Sequence, residues 1–389
     1  MIRGLTGNIL QVSAFGGEKV SVFIPFPLPP KPPIEFSAER QQLLEKAILA
    51  LGRLDSVSLL LPNPDIFIYS YVRREAVLSS HIEGTQSSLS DLLLFELKEV
   101  PGVPLDDVQE VSNYVCALNY GIKRLNEGFP LSNRLVREMH EKLLSSGRGS
   151  EKFPGEFRTT QNWIGGTRPG NAYFVPPPPY EVENCMSELE RFLHNKNVPY
   201  PAIIKAALAH AQFETIHPFL DGNGRIGRLL IAFILYNEKV LSKPLLYLSL
   251  YFKINRSEYY DLLNRVRFQG DWEAWIDFFL EGVQQTATSA VDTTKRLVDL
   301  FSNDEKKLQG LGRITPTVIR IFHCLCQHPL TTINNLCQIS GLSFPSVAKA
   351  MKALIQKGIA RETTGQQRNQ IFVYDKYLAI LNEEMEPIH

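Results

Sequence analysis

The chain has few cysteines and no long apolar run. Its cysteines are odd in number and show no metal-site spacing beyond one Cys-x-Cys, so we expect buried, reduced thiols rather than a disulfide framework. No apolar segment approaches the roughly 18 residues of a membrane helix, and the first residues lack the hydrophobic core of a signal peptide. The sequence therefore predicts a cytoplasmic protein that does not bind membranes. The cysteines are Cys116, Cys185, Cys324, Cys326 and Cys337.

The chain also lacks an excess of either charge. Lysine plus arginine and aspartate plus glutamate each number 41 in 389 residues, so no global field attracts nucleic acid or membrane. This length is sufficient for two or three domains with a substantial buried core. The exception to the balance is 313–382, where eight basic minus two acidic residues gives a net charge of +6.

One segment combines a base, an acid, flexible backbone and two guanidiniums. Apolar residues before it predict a helix that ends at Pro218, so His217 lies at a helix terminus. Its imidazole titrates near neutrality and can accept a proton from a hydroxyl nucleophile. A second apolar run, 229–236, predicts another helix directly after it. The segment is His217-Pro218-Phe219-Leu220-Asp221-Gly222-Asn223-Gly224-Arg225-Ile226-Gly227-Arg228.

The second half of this segment indicates a phosphate site. Residues 222–224 tolerate left-handed backbone angles and can form an anion-binding nest, to which the N-terminus of the next helix adds its dipole. Arg225 and Arg228 are three apart and share a helix face, which suits two guanidiniums that bind phosphate oxygens. Asp221 can hold a magnesium ion that bridges the phosphates, whereas zinc lacks ligands here. His210 we interpret as a core histidine.

The segment resembles the signature of the Fic family, His-Pro-Phe-x-Asp-Gly-Asn-Gly-Arg-x-x-Arg, and it matches every defined position. The resemblance implies adenylyl transfer: ATP is cleaved between its α- and β-phosphates, and AMP is placed on a serine, threonine or tyrosine hydroxyl of a target protein or of the enzyme itself. It implies that His217 is the base, that Asp221 binds Mg²⁺, and that 222–228 bind the nucleotide.

Ser79-Ser80-His81-Ile82-Glu83-Gly84 resembles the inhibitory motif of the same family, of which Ser79, Glu83 and Gly84 are the defined positions. We expect Asp65 to cap a helix that Gly84 ends, with Glu83 projecting from the last turn. A carboxylate there can pair with Arg228 and remove it from the γ-phosphate. Two alternatives stay open: Glu83 is an ordinary surface residue, or it activates a water that removes AMP.

A third part of the resemblance is a β-hairpin flap over 154–175, which would align the target segment by backbone pairing. Tyr259 and Tyr260 resemble an aromatic pair that lines the adenine pocket in relatives, although aromatic residues at helical positions are more often core. The flap residues expected near the nucleotide are Asn162, Trp163, Ile164 and Gly165.

The resemblance and the apolar periodicity predict a mainly α fold. We expect a hairpin over 9–24 around Gly16-Gly17, then an extended proline-rich segment, 25–33, that either wraps the body or forms a loose arm. A helical region with a break at Pro62-Asn63-Pro64 follows, and Trp272 and Trp275 are expected to be core anchors. The predicted domains are an N-terminal Fic-associated domain (1–104), a Fic catalytic core (105–285), a linker helix (286–312) and a C-terminal winged helix-turn-helix (313–389).

The C-terminal prediction comes from the order of its elements. Helices over 315–328, 332–339 and 344–357 precede a basic hairpin near 361–374, which is the order of a winged helix-turn-helix. Its charge suits a DNA backbone, but such modules also bind proteins or dimerise.

Two classes of function are therefore open. The first is a self-restrained protein adenylyltransferase that uses ATP and Mg²⁺, or a variant of it that mainly removes AMP. The second is a DNA-binding regulator that merely senses ATP. A homodimer is also open. The complete motif favours the first class, because a sensor needs the phosphate site but has no need of a base at His217.

Overall fold

The computed structural model describes residues 1–13, 19–60, 64–98, 104–366 and 369–383. Helices dominate, as predicted, so the fold class is mainly α. In chain order the helices and strands are β1 (Gly7–Ser13), β2 (Lys19–Pro25), α1 (Ala38–Leu60), α2 (Pro64–Ile82), α3 (Leu89–Glu96), α4 (Leu105–Asn126), α5 (Asn133–Leu143), α6 (Pro179–His194), α7 (Ala202–Ile216), α8 (Asn223–Asn237), α9 (Ser249–Ile254), α10 (Arg256–Gln269), α11 (Trp272–Lys307), α12 (Thr315–Gln327), β3 (Leu330–Thr332), α13 (Ile333–Ser340), α14 (Phe344–Gln356), β4 (Arg361–Glu362), β5 (Ile371–Val373) and α15 (Asp375–Asn382).

The chain divides into two compact units. Unit 1 comprises Met1–Gly52, Ile82–Gly84 and Asn113–Ala287, and unit 2 comprises Arg53–His81, Thr85–Ser112 and Thr288–His389. This division differs from the four predicted sequence domains, because short pieces of the N-terminal region group with later parts of the chain. The domain boundaries stay predictions.

The core of unit 1 is built around the pair α7 and α8. Nearly every residue of α7 is buried, since alanines let the neighbouring helices approach closely. Trp275 is fully buried and its indole Nε1 donates to the carbonyl of Ala207 at 2.9 Å, so the expected core role of Trp275 is confirmed. Trp272 is buried as well.

A hairpin lies at the start of unit 1. Strands β1 and β2 pair antiparallel from Gly7↔Pro25 to Ser13↔Lys19, which confirms the expected hairpin, while Gly16-Gly17 lie outside the described residues. Val20 and Val22 pack against Val175 in a small apolar cluster. After the hairpin, the proline-rich segment is held by Arg3, whose guanidinium donates to the carbonyls of Pro32 and Pro33 at 2.8 Å.

Helices α2 and α3 are joined in unit 2 by an ion pair and a tyrosine hydrogen bond. In α2, Arg73 donates to both carboxylate oxygens of Glu96 and stacks on Tyr69, whose hydroxyl also donates to Glu96.

Helix α2 begins at Pro64, so Asp65 lies inside it and the expected cap at Asp65 is wrong. Gly84, at φ +101°, follows the end of the helix as expected.

The C-terminal elements follow the predicted order of three helices and a hairpin. Strands β3, β5 and β4 form a three-stranded antiparallel sheet in that order. The sequence did not indicate β3 or α15, because three-residue strands and one short helix leave no clear period. Tyr374 donates to Asp304 at 2.8 Å and Tyr377 bonds Ser70 at 2.7 Å, which ties this region to α11 and α2 inside unit 2.

Two sequence expectations concern membranes and thiols. Within the described ranges, every helix falls short of the combined length and apolarity needed to cross a bilayer. None of the five cysteines forms a disulfide; Cys185, Cys324 and Cys326 are buried, but Cys116 is exposed and Cys337 is partly exposed. The expectation that all five thiols are buried was therefore wrong.

Candidate active site

His217 terminates helix α7 in a left-handed conformation, with φ 49° and ψ 59°. Pro218 follows and cannot continue the helix, so the last carbonyls of α7 need other donors. Arg158 supplies them: its Nε donates to the carbonyl of His217 at 2.9 Å, and its Nη2 reaches the carbonyl of Ile216 at 3.4 Å. The side-chain amide of Asn162 also donates to the carbonyl of His217 at 3.3 Å.

The His217 imidazole is uncharged at neutral pH. Burial, followed by the charges of Arg158 and Arg267, lowers its pKa to about 3, while Glu83 acts in the opposite direction. Nδ1 has no hydrogen-bond partner among the described residues, although it is buried. A neutral imidazole can accept a proton, whereas a protonated one cannot.

The loop after His217 is held at Phe219 by the side chain of Asn223. Oδ1 of Asn223 accepts from the backbone N–H of Phe219 at 2.8 Å, and its Nδ2 donates to the carbonyl of Phe219 at 2.9 Å. Gly222 is left-handed at φ +78°, but Asn223 and Gly224 already belong to α8. The expected nest of left-handed residues is therefore wrong, and the N-terminus of α8 is the candidate anion site.

Asp221 lies at the edge of this loop with its side chain partly exposed. Its Oδ1 accepts from the N–H of Gly222 at 2.5 Å and lies 3.3 Å from Nη2 of Arg225. On the other side, a Cβ added at Gly149 would lie 2.8 Å from Oδ2, so this glycine lets the carboxylate pack directly against the backbone. A single, partly exposed carboxylate fits Mg²⁺, which usually takes one or two carboxylates together with phosphate oxygens and water.

Glu83 reaches the phosphate loop within unit 1. Its Oε1 accepts from Nη2 of Arg228 at 2.8 Å, and the Arg228 side chain is only 3% exposed. A Cβ added at Gly224 would collide with the same Oε1, so the carboxylate lies directly against the N-terminal turn of α8. Burial acts to raise the pKa of Glu83, but the charge and hydrogen bond of Arg228 outweigh it and lower the pKa. A carboxylate therefore occupies the anion site.

The other inhibitory-motif residues lie where the sequence placed them. Ser79 is buried in α2, three residues before the end of that helix, and Gly84 follows Glu83 in the turn. The turn closes by a bond from the N–H of Thr85 to the carbonyl of Ser80 at 3.2 Å. The turn sets the position of the Glu83 backbone.

In the predicted flap, the strands pair at one isolated β-bridge. Ile164 pairs with Phe174, but Gly165 and Gly166 have positive φ and Pro169 lacks a donor, so no ladder extends from the bridge. Trp163 is 38% exposed. Asn162 is buried and bonds to the carbonyl of Phe219 at 2.9 Å, which makes it a support of the loop.

The two tyrosines of α10 differ in environment. Tyr259 is buried and its hydroxyl donates to Nε2 of His210 at 2.9 Å, while Nδ1 of His210 donates to the carbonyl of Gly227. Tyr259 and His210 are therefore core residues. For Tyr259 this was the alternative to a place in the adenine pocket, and for His210 it was the prediction. Tyr260 is 37% exposed and lies near Glu83 and Arg228, since their charges act on its pKa, which burial raises.

Two site residues pack between helices. Ile226 is fully buried in α8, and Gly227 lies against Phe213 and the carboxyl of Glu214 on α7, where a side chain would collide. Gly227 therefore permits the close approach of α7 and α8. The Ile226 side chain therefore packs in the core and does not face open space.

Three further residues support the site without belonging to its motif. His140 stacks on Phe219 with ring centroids 3.7 Å apart, and its Nε2 donates to the carbonyl of Asp221 at 2.9 Å. Arg158 was in the quoted flap segment but had no assigned role. Arg267 lies on α10, and no pattern in the sequence pointed to it.

The fold is a helical domain in which the motif loop lies between the two buried helices α7 and α8. Residues 41–123 match the Fic/DOC family N-terminal domain and 130–235 match the Fic/DOC family domain. The chain therefore contains the two characteristic domains of the Fic/DOC family.

Named relatives agree with this assignment. The chain is 30% identical over 213 residues to the protein adenylyltransferase Fic of Drosophila grimshawi, covering 53% of this chain and 40% of that protein. It is 29% identical over 228 residues to the protein adenylyltransferase Fic of Aedes aegypti, which covers 57% of this chain and 40% of that protein. The chain thus spans less than half the length of these relatives. A Fic family protein from Desulfovibrio desulfuricans shares the fold, with a TM-score of 0.59 and 21% identity over 89% of this chain and 98% of that one.

Proposed function

We propose that this protein is an adenylyltransferase that moves AMP from ATP to a hydroxyl of a protein and that Glu83 restrains it. The observation that carries the proposal is the ion pair of Glu83 with Arg228, which places an anion against the N-terminus of α8, beside a neutral His217. An anion site next to a base is the combination that phosphate transfer to a hydroxyl requires. The relatives named adenylyltransferases support AMP as the transferred group.

The proposed reaction uses His217 as the general base. Its imidazole takes the proton of a serine, threonine or tyrosine hydroxyl, and the oxygen attacks the α-phosphorus. The bond from that phosphorus to the bridging oxygen breaks, and diphosphate leaves. The negative phosphates of bound ATP raise the low pKa of His217 towards the operating range, because they counter the charges of Arg158 and Arg267.

The phosphate groups would be held by the first turn of α8 and its two arginines. Arg225 and Arg228 are both buried at the site, so their charges act in a medium that screens them less than water does. Asp221 would hold Mg²⁺, which neutralises phosphate charge as the transfer proceeds. The chain itself supplies binding, orientation and the proton acceptor.

A test distinguishes AMP transfer from phosphate transfer. The Glu83→Gly protein is incubated with Mg²⁺ and ATP radiolabelled at either the α- or the γ-phosphate, alone and with cell lysate. We expect protein-bound label from the α-position only, and none when EDTA replaces Mg²⁺. Incorporation of γ-label would contradict the proposed reaction.

A second function is favoured by the surface of the C-terminal elements. We propose that they form a winged helix-turn-helix that contacts DNA, since Lys349 and Lys352 are exposed on α14 in a region of net charge +6, eight basic minus two acidic residues.

The DNA proposal predicts strong salt dependence. For about four phosphate contacts, affinity for duplex DNA should fall about 100-fold between about 50 and 200 mM salt, because bound counterions are released. Lys349→Ala with Lys352→Ala should reduce this slope in a gel-shift series, while Lys243→Ala in unit 1 serves as the control. Salt-independent binding, or no binding, would contradict the DNA proposal.

A further inference from the structure

Helix α7 ends at the base, and the carbonyls of its last turn are held from two directions. Arg158 bonds the carbonyls of Ile216 and His217, as described above. Arg267, on α10, donates from Nη2 to the carbonyl of Glu214 at 3.1 Å and from Nε to the hydroxyl of Thr215 at 3.1 Å. Four polar groups of consecutive residues, 214–217, are thus bound by two guanidiniums.

Arg267 is itself fixed. It is 4% exposed, its Nη1 donates to Oδ1 of Asn264 at 3.0 Å, and its guanidinium lies 4.0 Å above the ring of Phe174. Thr215 links Arg267 to the preceding turn of α7, since its hydroxyl donates to the carbonyl of Ala211 at 2.8 Å. A charge held this firmly on a helix C-terminus stabilises the turn and interacts favourably with the helix dipole.

We propose that Arg267 is a positioning residue for the transfer reaction, which acts on His217 through the last turn of α7 and through its positive charge. The turn fixes the left-handed backbone of His217 and therefore the direction of its side chain. The nearby charge disfavours a second proton on the ring. The inference rests on the proposed transferase function.

Several charged groups face His217, and the test must separate them. Arg158 approaches from the segment after α5, Arg267 from α10 and Glu83 from the turn after α2, and their charges act on His217. Glu214, on α7, is a further titratable group, on which the charge of Arg267 also acts. Burial raises the pKa of Glu214 to about 7, so this carboxyl also titrates near neutrality. Any pH profile therefore needs a Glu214→Gln counterpart.

The experiment measures kcat/KM against pH for label transfer from ATP in the full chain with Glu83→Gly. Arg267→Gln and Arg267→Lys are compared with Arg265→Gln, a control on the same helix whose partner is Asp271. Removing the charge of Arg267 raises the pKa of His217, so the acid limb should move to higher pH by about one unit. Arg267→Lys should shift it less, and Glu214→Gln should leave the shift in place.

The outcomes are distinguishable. If Glu83→Gly transfers no label, the proposed function itself fails. If it transfers label and the acid limb of Arg267→Gln coincides with that of its parent or of Arg265→Gln, the role of Arg267 is overturned, whatever the effect on rate. A shift that disappears with Glu214→Gln would likewise overturn it, because the titration would then belong to Glu214.

Discussion

Replacing Glu83 by glycine is expected to raise label transfer from ATP by about 10-fold. The variant removes a charge-assisted bond to Arg228, which in general contributes about 1.5–3 kcal/mol, and the partial exposure of Glu83 places the effect at the lower end. It also empties the space against Gly224, so that a phosphate can reach the N-terminus of α8. The measurement is the initial rate of protein labelling from ATP labelled at the α-phosphate.

Glu83→Gln is the matched variant, because it keeps the side-chain volume and removes the charge. It should fall between wild type and Glu83→Gly. A second control replaces Glu138, whose partners Arg124 and Arg134 lie away from the loop, and should leave the rate unchanged. Equal labelling rates for wild type and Glu83→Gly would contradict an inhibitory role of the Glu83–Arg228 ion pair.

The same variant tests removal of AMP. If Glu83 activates a water, wild-type protein should release label from a previously labelled target, and Glu83→Gly should not. The carboxylate has the properties of such a base only while it is ionised, and Arg228 keeps its pKa low. Loss of release together with gain of transfer would assign both activities to one site.

The sequence predicted the ends of helices correctly where a proline or a glycine stops the helix. Pro218 and the apolar residues before it located the end of α7, and Gly84 located the end of α2. The motif likewise indicated the pairing of Glu83 with Arg228, although 145 positions separate them. That prediction needed the family resemblance, because no period or spacing links two such distant residues.

The remaining features depend on tertiary contacts. Tyr259 and Tyr260 are neighbours in sequence, yet only Tyr259 is buried, because His210 accepts its hydroxyl and Phe252 stacks on its ring. The flap failed to form a ladder because its backbone turns at Gly165 and Gly166. Arg267 contacts Thr215 over 52 positions, and an arginine on a helix carries no local sign of such a partner.

Replacing His217 by alanine is expected to abolish transfer in the Glu83→Gly background while ATP binding persists. Loss of a general base costs about 100- to 10,000-fold in rate, which brings labelling to background. ATP binding should persist because the phosphate contacts are assigned to Arg225, Arg228 and the first turn of α8. The two measurements are label incorporation and the dissociation constant for ATP.

The backbone of His217 requires a second variant. At φ 49° an alanine is strained, whereas asparagine adopts left-handed angles more readily, so His217→Asn removes the base with less disturbance of the turn. His323→Ala, at an exposed histidine paired with Glu305 in unit 2, is the control and should transfer normally. Because Asn and Ala differ in backbone strain but both lack a base, equal loss in the two variants assigns the effect to the imidazole. Transfer that persists in His217→Asn would show that another group takes the proton.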